Sequence, residues 1–224
     1  MKHYLLPLVI TATGLLSLSA VYAEGLPDPG FELWGARKPS TQMTFEKAHV
    51  EEGDGLSLTQ WAVRQTFPEG DGADQPKAVF TRDDTIRHEG ASSLRITIPK
   101  PGGEVSLSNR AEATWHPMPF PIAPNRNYTL RGWIRTENLQ IGGTKPGSVA
   151  IRMADNQKTF FSQGTERHSK RAKLPALTET GDWTPFEVRF QTGATDEWAH
   201  ITLELPAEVQ GTVWIDDLSL TEGN

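Results

Sequence analysis

The stretch Asn127–Glu137, NYTLRGWIRTE, carries the reading of the fold. Tyr128, Leu130 and Ile134 fall on one side of an extended chain and Arg131, Trp133 and Arg135 on the other, because successive side chains of a strand point to opposite faces. The same alternation of apolar and polar residues recurs in SSLRITI (92–98), SVAIRM (148–153), TPFEVRFQ (184–191) and AHITLEL (199–205), each bounded by Gly, Pro, Asp or Asn. These are half-buried antiparallel strands. The best helical stretch is Thr44–Glu52, which lacks convincing caps at both ends. Many short strands separated by Gly and Pro turns predict an all-β protein, a two-sheet antiparallel jelly-roll sandwich.

The chain has 224 residues and a net charge of -6, which gives no global case for nucleic-acid binding. Met1–Ala23 reads as a signal peptide: Lys2 and His3 precede an apolar run from Tyr4 to Leu18, and Val21 and Ala23 sit where a signal peptidase reads. Pro7, Thr11, Thr13 and Gly14 interrupt that run, which argues against a membrane span there. With no cysteine, disulfides cannot support an exported domain. The remaining Glu24–Asn224 is long enough for one core, so the expectation is an exported, monomeric, single-domain protein, periplasmic or extracellular.

The segment GTVWIDDLSLTEGN (211–224) raises a question of cost. Val213, Trp214, Ile215, Leu218 and Leu220 read as a buried strand, yet Asp216 and Asp217 stand in its middle. Alternation directs at least one of the two carboxylates toward the core side, where an uncompensated charge is expensive. Asp216 could accept backbone N–H bonds or pair with an arginine such as Arg95.

The phase that buries Leu130 and Ile134 leaves Arg131, Trp133 and Arg135 outside. It also places Arg152, then Glu187, Arg189 and Gln191, then His200, Thr202 and Glu204 outward on their own strands. If these strands are neighbours, their outer faces form one polar, cation-rich groove around Trp133. An indole suits a pyranose ring, and guanidinium forks suit hydroxyl, carboxylate or sulfate groups. The alternative is ordinary cross-strand Arg–Glu pairing with Trp133 tucked under a loop. Trp61, with polar neighbours, and Trp115, before the Pro-rich HPMPFPIAP (116–124), are second-choice stacking residues. Trp34, Trp183, Trp198 and Trp214 read as packing residues. Arg167, His168, Lys170, Arg171 and Lys173 cluster within seven residues and read as a solvated loop, with an anion site as the alternative.

Five ordered segments, LPDPGFELW (26–34), DTIRHEGASSLRI (84–96), PIAPNRNYTLRGWIRTEN (121–138), TGDWTPFEVRFQTGATDEWAHITLEL (180–205) and GTVWIDDLSL (211–220), carry a resemblance. Together the chain resembles the cellulase-associated carbohydrate-binding modules of families 4, 9 and 22, galactose-binding-like jelly rolls. Gly35–Asp74 and Asp155–Leu177 show no family pattern and are expected to be ligand-determining loops. The resemblance implies a polysaccharide or oligosaccharide ligand, neutral or acidic. It also implies a structural calcium ion, Ca2+, held by Glu32, a backbone carbonyl near Gly90 and Asp216, with Asp217 as the alternative to Asp216. Hard oxygens of that kind suit the ion.

Catalysis is the rival class. There is no cysteine nucleophile, no G-x-S-x-G elbow and no H-E-x-x-H motif, so no catalytic residue is assigned. SNRAEATWH (108–116) slightly resembles the Arg-x-Glu strand of jelly-roll polysaccharide lyases, which would implicate Arg110, Glu112, His116 and Tyr128. A glycoside hydrolase would need two suitably spaced carboxylates. An envelope adhesion domain that binds protein is a third reading, favoured by a flat apolar outer face. The sequence reading is a non-catalytic carbohydrate-binding protein.

Overall fold

The computed structural model of the chain describes residues 26–32, 34–36, 51–52, 56–58, 61–66, 78–99, 104–109, 119–142, 147–156, 168–174, 177, 179–205 and 208–223. Met1–Ala23, most of Thr44–Glu52, and Arg110, Glu112, Trp115, His116 and Arg167 lie outside these residues. Among the described residues there are fourteen strands and no helix, hence none long and apolar enough to cross a membrane.

The strands are β1 (Trp34–Ala36), β2 (Glu51–Glu52), β3 (Leu56–Leu58), β4 (Trp61–Thr66), β5 (Val79–Asp83), β6 (Ser93–Ile98) and β7 (Glu104–Asn109). They continue with β8 (Phe120–Pro121), β9 (Asn127–Ile141), β10 (Ser148–Ala154), β11 (His168–Lys173), β12 (Gly181–Gln191), β13 (Trp198–Glu204) and β14 (Val209–Gly223). One sheet runs β12-β9-β14-β6-β5-β2 and the other β11-β10-β13-β7-β4, with β8 paired to β13 and a small β1-β3 pair beside them. The chain passes repeatedly from one sheet to the other, which makes the two-sheet jelly-roll sandwich expected from the sequence. The departure is β2, which pairs with β5 in parallel.

The core lies between the sheets. Leu94, Ile96, Leu130, Ile134, Val213 and Ile215 meet Val105, Leu107, Val149, Ile151, Ile201 and Leu203, all essentially inaccessible to water. Each such burial contributes about 2 kcal/mol relative to exposure. All five alternating segments are strands, but two readings change. Asp155–Leu177 includes β11, so the basic cluster lies on an edge strand rather than in a loop. The Gly35–Asp74 region includes β3 and β4, and Trp61 of β4 is 1% exposed against Phe31, so it is a core residue and not a surface stacking residue. Its indole N–H donates to the carbonyls of Pro27 (2.7 Å) and Asp28 (3.1 Å), which binds the N-terminal segment to the sandwich.

Gly132 breaks the apolar phase of β9 for a steric reason. A Cβ there would stand 2.5 Å from Leu218 Cδ2 and 2.6 Å from Phe186 Cζ. Gly132→Ala is therefore expected to lower stability by about 1–3 kcal/mol, read as a drop in the urea midpoint at unchanged slope. An unchanged midpoint would show that the two side chains yield freely.

The outer face of the first sheet is organised by Trp214, which is 1% exposed although it does not face the core. Its register partners are Arg95 and Arg135, the Arg95 guanidinium lies 5.6 Å from its ring centroid, and its N–H donates to Asp83 Oδ2 at 2.8 Å. Asp83 Oδ1 accepts from the Thr85 and Ile86 N–H groups and the Thr85 hydroxyl. Burial pulls the Asp83 pKa upward, but hydrogen bonds from Ile86, Trp214 and Thr85 outweigh it and hold the group at about 2, below its ordinary 3.8. Because the folded-state value is depressed, the stabilisation is complete above about pH 4 and is lost as pH falls through 2. Asp83→Ala should cost about 2 kcal/mol at pH 7 and flatten the acid limb of a stability–pH profile between pH 4 and 2. A variant with the wild-type acid limb would contradict this.

Candidate functional site

The two acids of IDD are placed by a bulge. Between Asp216 and Ser219 the register of β14 on β9 shifts, and Asp217 has φ 47°. The Leu218 N–H donates to the Pro29 carbonyl (2.8 Å), which draws the N-terminal segment over the bulge. Asp216 pairs with Trp133 across the ladder and so shares its outer face. This corrects the expectation of a carboxylate facing the core: Asp216 is 0% exposed because the turn after β5 folds over it. Its Oδ2 accepts the His88 N–H (2.8 Å) and Glu89 N–H (3.4 Å), and its Oδ1 accepts the Asp217 N–H (2.8 Å). Backbone donors satisfy the buried acid; Arg95 lies instead over Trp214.

Glu32 grips the same turn from the other side. Its Oε1 accepts the Ala91 N–H (2.7 Å) and the Ser92 N–H (3.4 Å), and Oε2 lies 3.2 Å from the Ser92 hydroxyl. Gly90 has φ 63°, and a Cβ on it would fall against Glu32 Oε1, so the close approach requires glycine. Burial pushes the Asp216 carboxyl up to about 6, with neighbouring Asp217 adding to the rise. A buried acid beside a second acid, facing a turn gripped by a third, is a hard-oxygen set whose chemistry fits calcium. The carboxylate oxygens of Asp216 and Glu32 already accept protein donors, so the ion would use their remaining lone pairs. A second donor group, His88, Glu89 and Asp217, has ligand atoms within 4.8 Å of one another, and His88 Nδ1 lies 2.6 Å from Asp217 Oδ2.

The turn also shapes the outer face around Trp133. The His88 ring stacks on Trp133 with centroids 3.9 Å apart and 19° between planes, and meets Trp183 edge-on at 5.7 Å. Trp133 and Trp183 are both half-buried. Alongside them Arg131 and Arg189 both donate to Glu187, at 2.9 and 2.6 Å, and Arg135 donates to Asp182 at 2.7 Å. Glu187 is correspondingly held below its ordinary value by its bonds to Arg189 and Arg131. Sequence reasoning missed His88 and Trp183 as members of this group; Trp183, expected to be a packing residue, lies among the first residues of β12, ahead of the alternating segment 184–191.

Arg152 and His200 do not join them. They face each other across β10 and β13, on the second sheet, so the single groove expected from strand phase is two surfaces on opposite sides of the sandwich. His200 is 1% exposed, not an open ligand contact. On this second outer face Trp198 is half-buried in phase with His200, Thr202 and Glu204. Tyr128 is buried in the core phase, stacked 5.5 Å from Phe190, and its hydroxyl accepts the Ala123 N–H at 2.8 Å.

No protein-family model matches the chain, and no curated protein matches its sequence. Among solved structures, the enzymatically active domain of bacteriophage CBA120 tailspike protein 4 is similar with a TM-score of 0.51 at 13% identity, over 75% of this chain and 20% of that one. This chain thus spans about a fifth of that tailspike domain. The TmCBM61 carbohydrate-binding module in complex with beta-1,4-galactotriose has a TM-score of 0.42 at 16% identity, over 88% of this chain and 97% of the module. A family 4 carbohydrate-binding module has a TM-score of 0.43 at 16% identity, over 74% and 88% of the two chains. The similarity to the tailspike domain is one of fold alone.

Proposed function

We propose that this chain is an exported, single-domain, non-catalytic protein that binds polysaccharide on the outer face of the β12-β9-β14 sheet. The observation that supports this most is the juxtaposition of half-buried Trp133 and Trp183 around His88, beside the Arg131–Glu187–Arg189 group. A sugar ring needs an apolar plane flanked by groups that bond hydroxyls, and this face supplies both. Since His88 covers one face of Trp133, Trp183 is the ring offered to the ligand and Trp133 the support beneath. An adhesion surface would instead be flat and apolar, and this face is dense in Arg, Glu and Thr.

Trp183→Ala should weaken retention on affinity gels of β-glucan, xylan or uronic-acid polymer by about tenfold, with the thermal midpoint retained. Trp133→Ala should weaken it too, by removing the plane on which His88 rests. The same polymers should yield neither unsaturated products nor new reducing ends. Normal retention by both variants would move the site elsewhere, and product formation would turn the reading toward an enzyme.

Calcium is part of the same proposal. Bound by Glu32, Asp216 and the backbone near Gly90, it would neutralise the acids that grip the turn carrying His88. A ligand that binds only the folded state stabilises it by mass action, so chelation should lower the thermal midpoint by several degrees at neutral pH. An identical midpoint in calcium and in chelator would remove the ion from the account.

A further inference from the structure

The turn that follows β5 offers its backbone to Asp216 and its side chains to Asp217. Asp216 accepts the His88 and Glu89 N–H groups, whereas Asp217 Oδ2 lies 2.6 Å from His88 Nδ1. The two acids of IDD therefore serve different parts of one turn, and the second of them belongs to a cluster of its own. One ligand atom from each of His88, Glu89 and Asp217 lies within 4.8 Å of the other two. All three are open to water. The side chains of His88 and Asp217 are 21% and 26% exposed, and Glu89 is exposed.

A hydrogen bond between His88 and Asp217 accounts for two of these residues but leaves an imbalance of charge. Glu89, Asp216 and Asp217 bring three carboxyl groups to this turn and bulge, and among the described residues no arginine or lysine pairs with any of them. Arg87, the cation nearest in sequence, donates to the Asp84 carbonyl instead. The imidazole is also aimed in advance. Its ring is held by stacking on Trp133 at 3.9 Å and by its edge-on contact with Trp183 at 5.7 Å, so its direction does not depend on Asp217 alone. Asp217 is placed by the β14 bulge, with φ 47°. Two donors thus come from fixed positions and the third from an exposed, adjustable glutamate.

We infer that His88, Glu89 and Asp217 form a site for a divalent transition-metal cation of the zinc class, distinct from the hard-oxygen corner at Glu32 and Asp216. An imidazole nitrogen suits zinc, cobalt, nickel or copper, whereas calcium takes oxygen ligands. Zinc binds imidazole nitrogen and carboxylate oxygen at about 2.0–2.2 Å, so two tetrahedral ligand atoms stand about 3.3 Å apart. The 2.6 Å contact between His88 and Asp217 has only to open slightly, and the Glu89 carboxylate to close in by a change of rotamer. Three protein ligands leave a fourth position for water. A cation there would tie the turn to the last strand and fix the ring that lies on Trp133. The inference depends neither on the ligand of the aromatic face nor on calcium at the other corner.

The test titrates the full chain, in the presence of excess calcium, with zinc and with cobalt as a spectroscopic probe. Calorimetry should show one zinc per chain. Bound cobalt should give visible absorption bands and quench tryptophan fluorescence, because His88 lies against Trp133. His88→Gln should abolish both the uptake and the quenching. Glu89→Gln, at an exposed position, should keep the thermal midpoint measured in chelator and weaken zinc by at least about tenfold, the loss caused by removing even a group that only orients a ligand. No uptake, uptake that needs millimolar metal, uptake unchanged by His88→Gln, or displacement of zinc by an equal concentration of calcium would overturn the proposal.

Discussion

The corner of the sandwich depends on two carboxylates that hold one turn. Glu32, near the start of the described chain, and Asp216, in its last strand, both accept backbone N–H groups of residues 88–92. Hydrogen bonds to a charged acceptor contribute about 1.5–3 kcal/mol each, more than ordinary backbone pairs. Around them the Ser92 hydroxyl lies 3.0 Å from the Phe31 carbonyl, Leu218 donates to Pro29, and Trp61 donates to Pro27 and Asp28. Three segments far apart in sequence are thereby bound at one point. The ring of His88 is delivered to Trp133 by the same turn, so the structural corner and the aromatic face are one construction.

Strand identity was legible because the apolar phase of each segment is uninterrupted. In Asn127–Glu137 the buried Tyr128, Leu130 and Ile134 fall where period two places them, and Leu94, Ile96 and Ile98 of β6 obey the same rule. Phase says which residues share a side of one strand; it does not say which sheet the strand joins. Arg131 and Arg152 have the same local pattern, yet β9 and β10 lie in different sheets, and the expected common groove divides. The bulge at Asp216–Asp217 was hidden for a related reason. A single added residue moves the phase, and only the pairing with Trp133 on one side and Arg131 on the other reveals that Asp216 lies outside the core. His88 was invisible as a site residue because its role comes from a loop folded over a sheet face.

Charge placement follows the same division. On the first outer face each described arginine near Trp133 meets an acid: Arg131 and Arg189 meet Glu187, and Arg135 meets Asp182. Such exposed pairs stabilise little, but they fix the direction of the guanidinium groups and keep the local field small. On the second face the described strands β10 and β11 carry Arg152, Arg171 and Lys173 and no acid, and Glu204 of β13 orients Arg171. The two faces are therefore electrostatically unlike although both are polar sheets.

The tryptophans show which feature separates a structural indole from one available to a ligand. Trp61 and Trp214 are each 1% exposed, and each indole N–H has a defined protein acceptor, the Pro27 and Asp28 carbonyls for one and the Asp83 carboxylate for the other. A buried indole must satisfy that donor or lose more than its packing gains. Polar neighbours in sequence made Trp61 look like a surface residue, whereas the decisive partners stand more than thirty positions away. Trp133, Trp183 and Trp198 remain half-buried on sheet faces, in contact with His88 in the first two cases. Their large apolar surfaces are only partly withdrawn from water, so the stabilisation still to be gained by covering them is available to a ligand rather than already used by the fold.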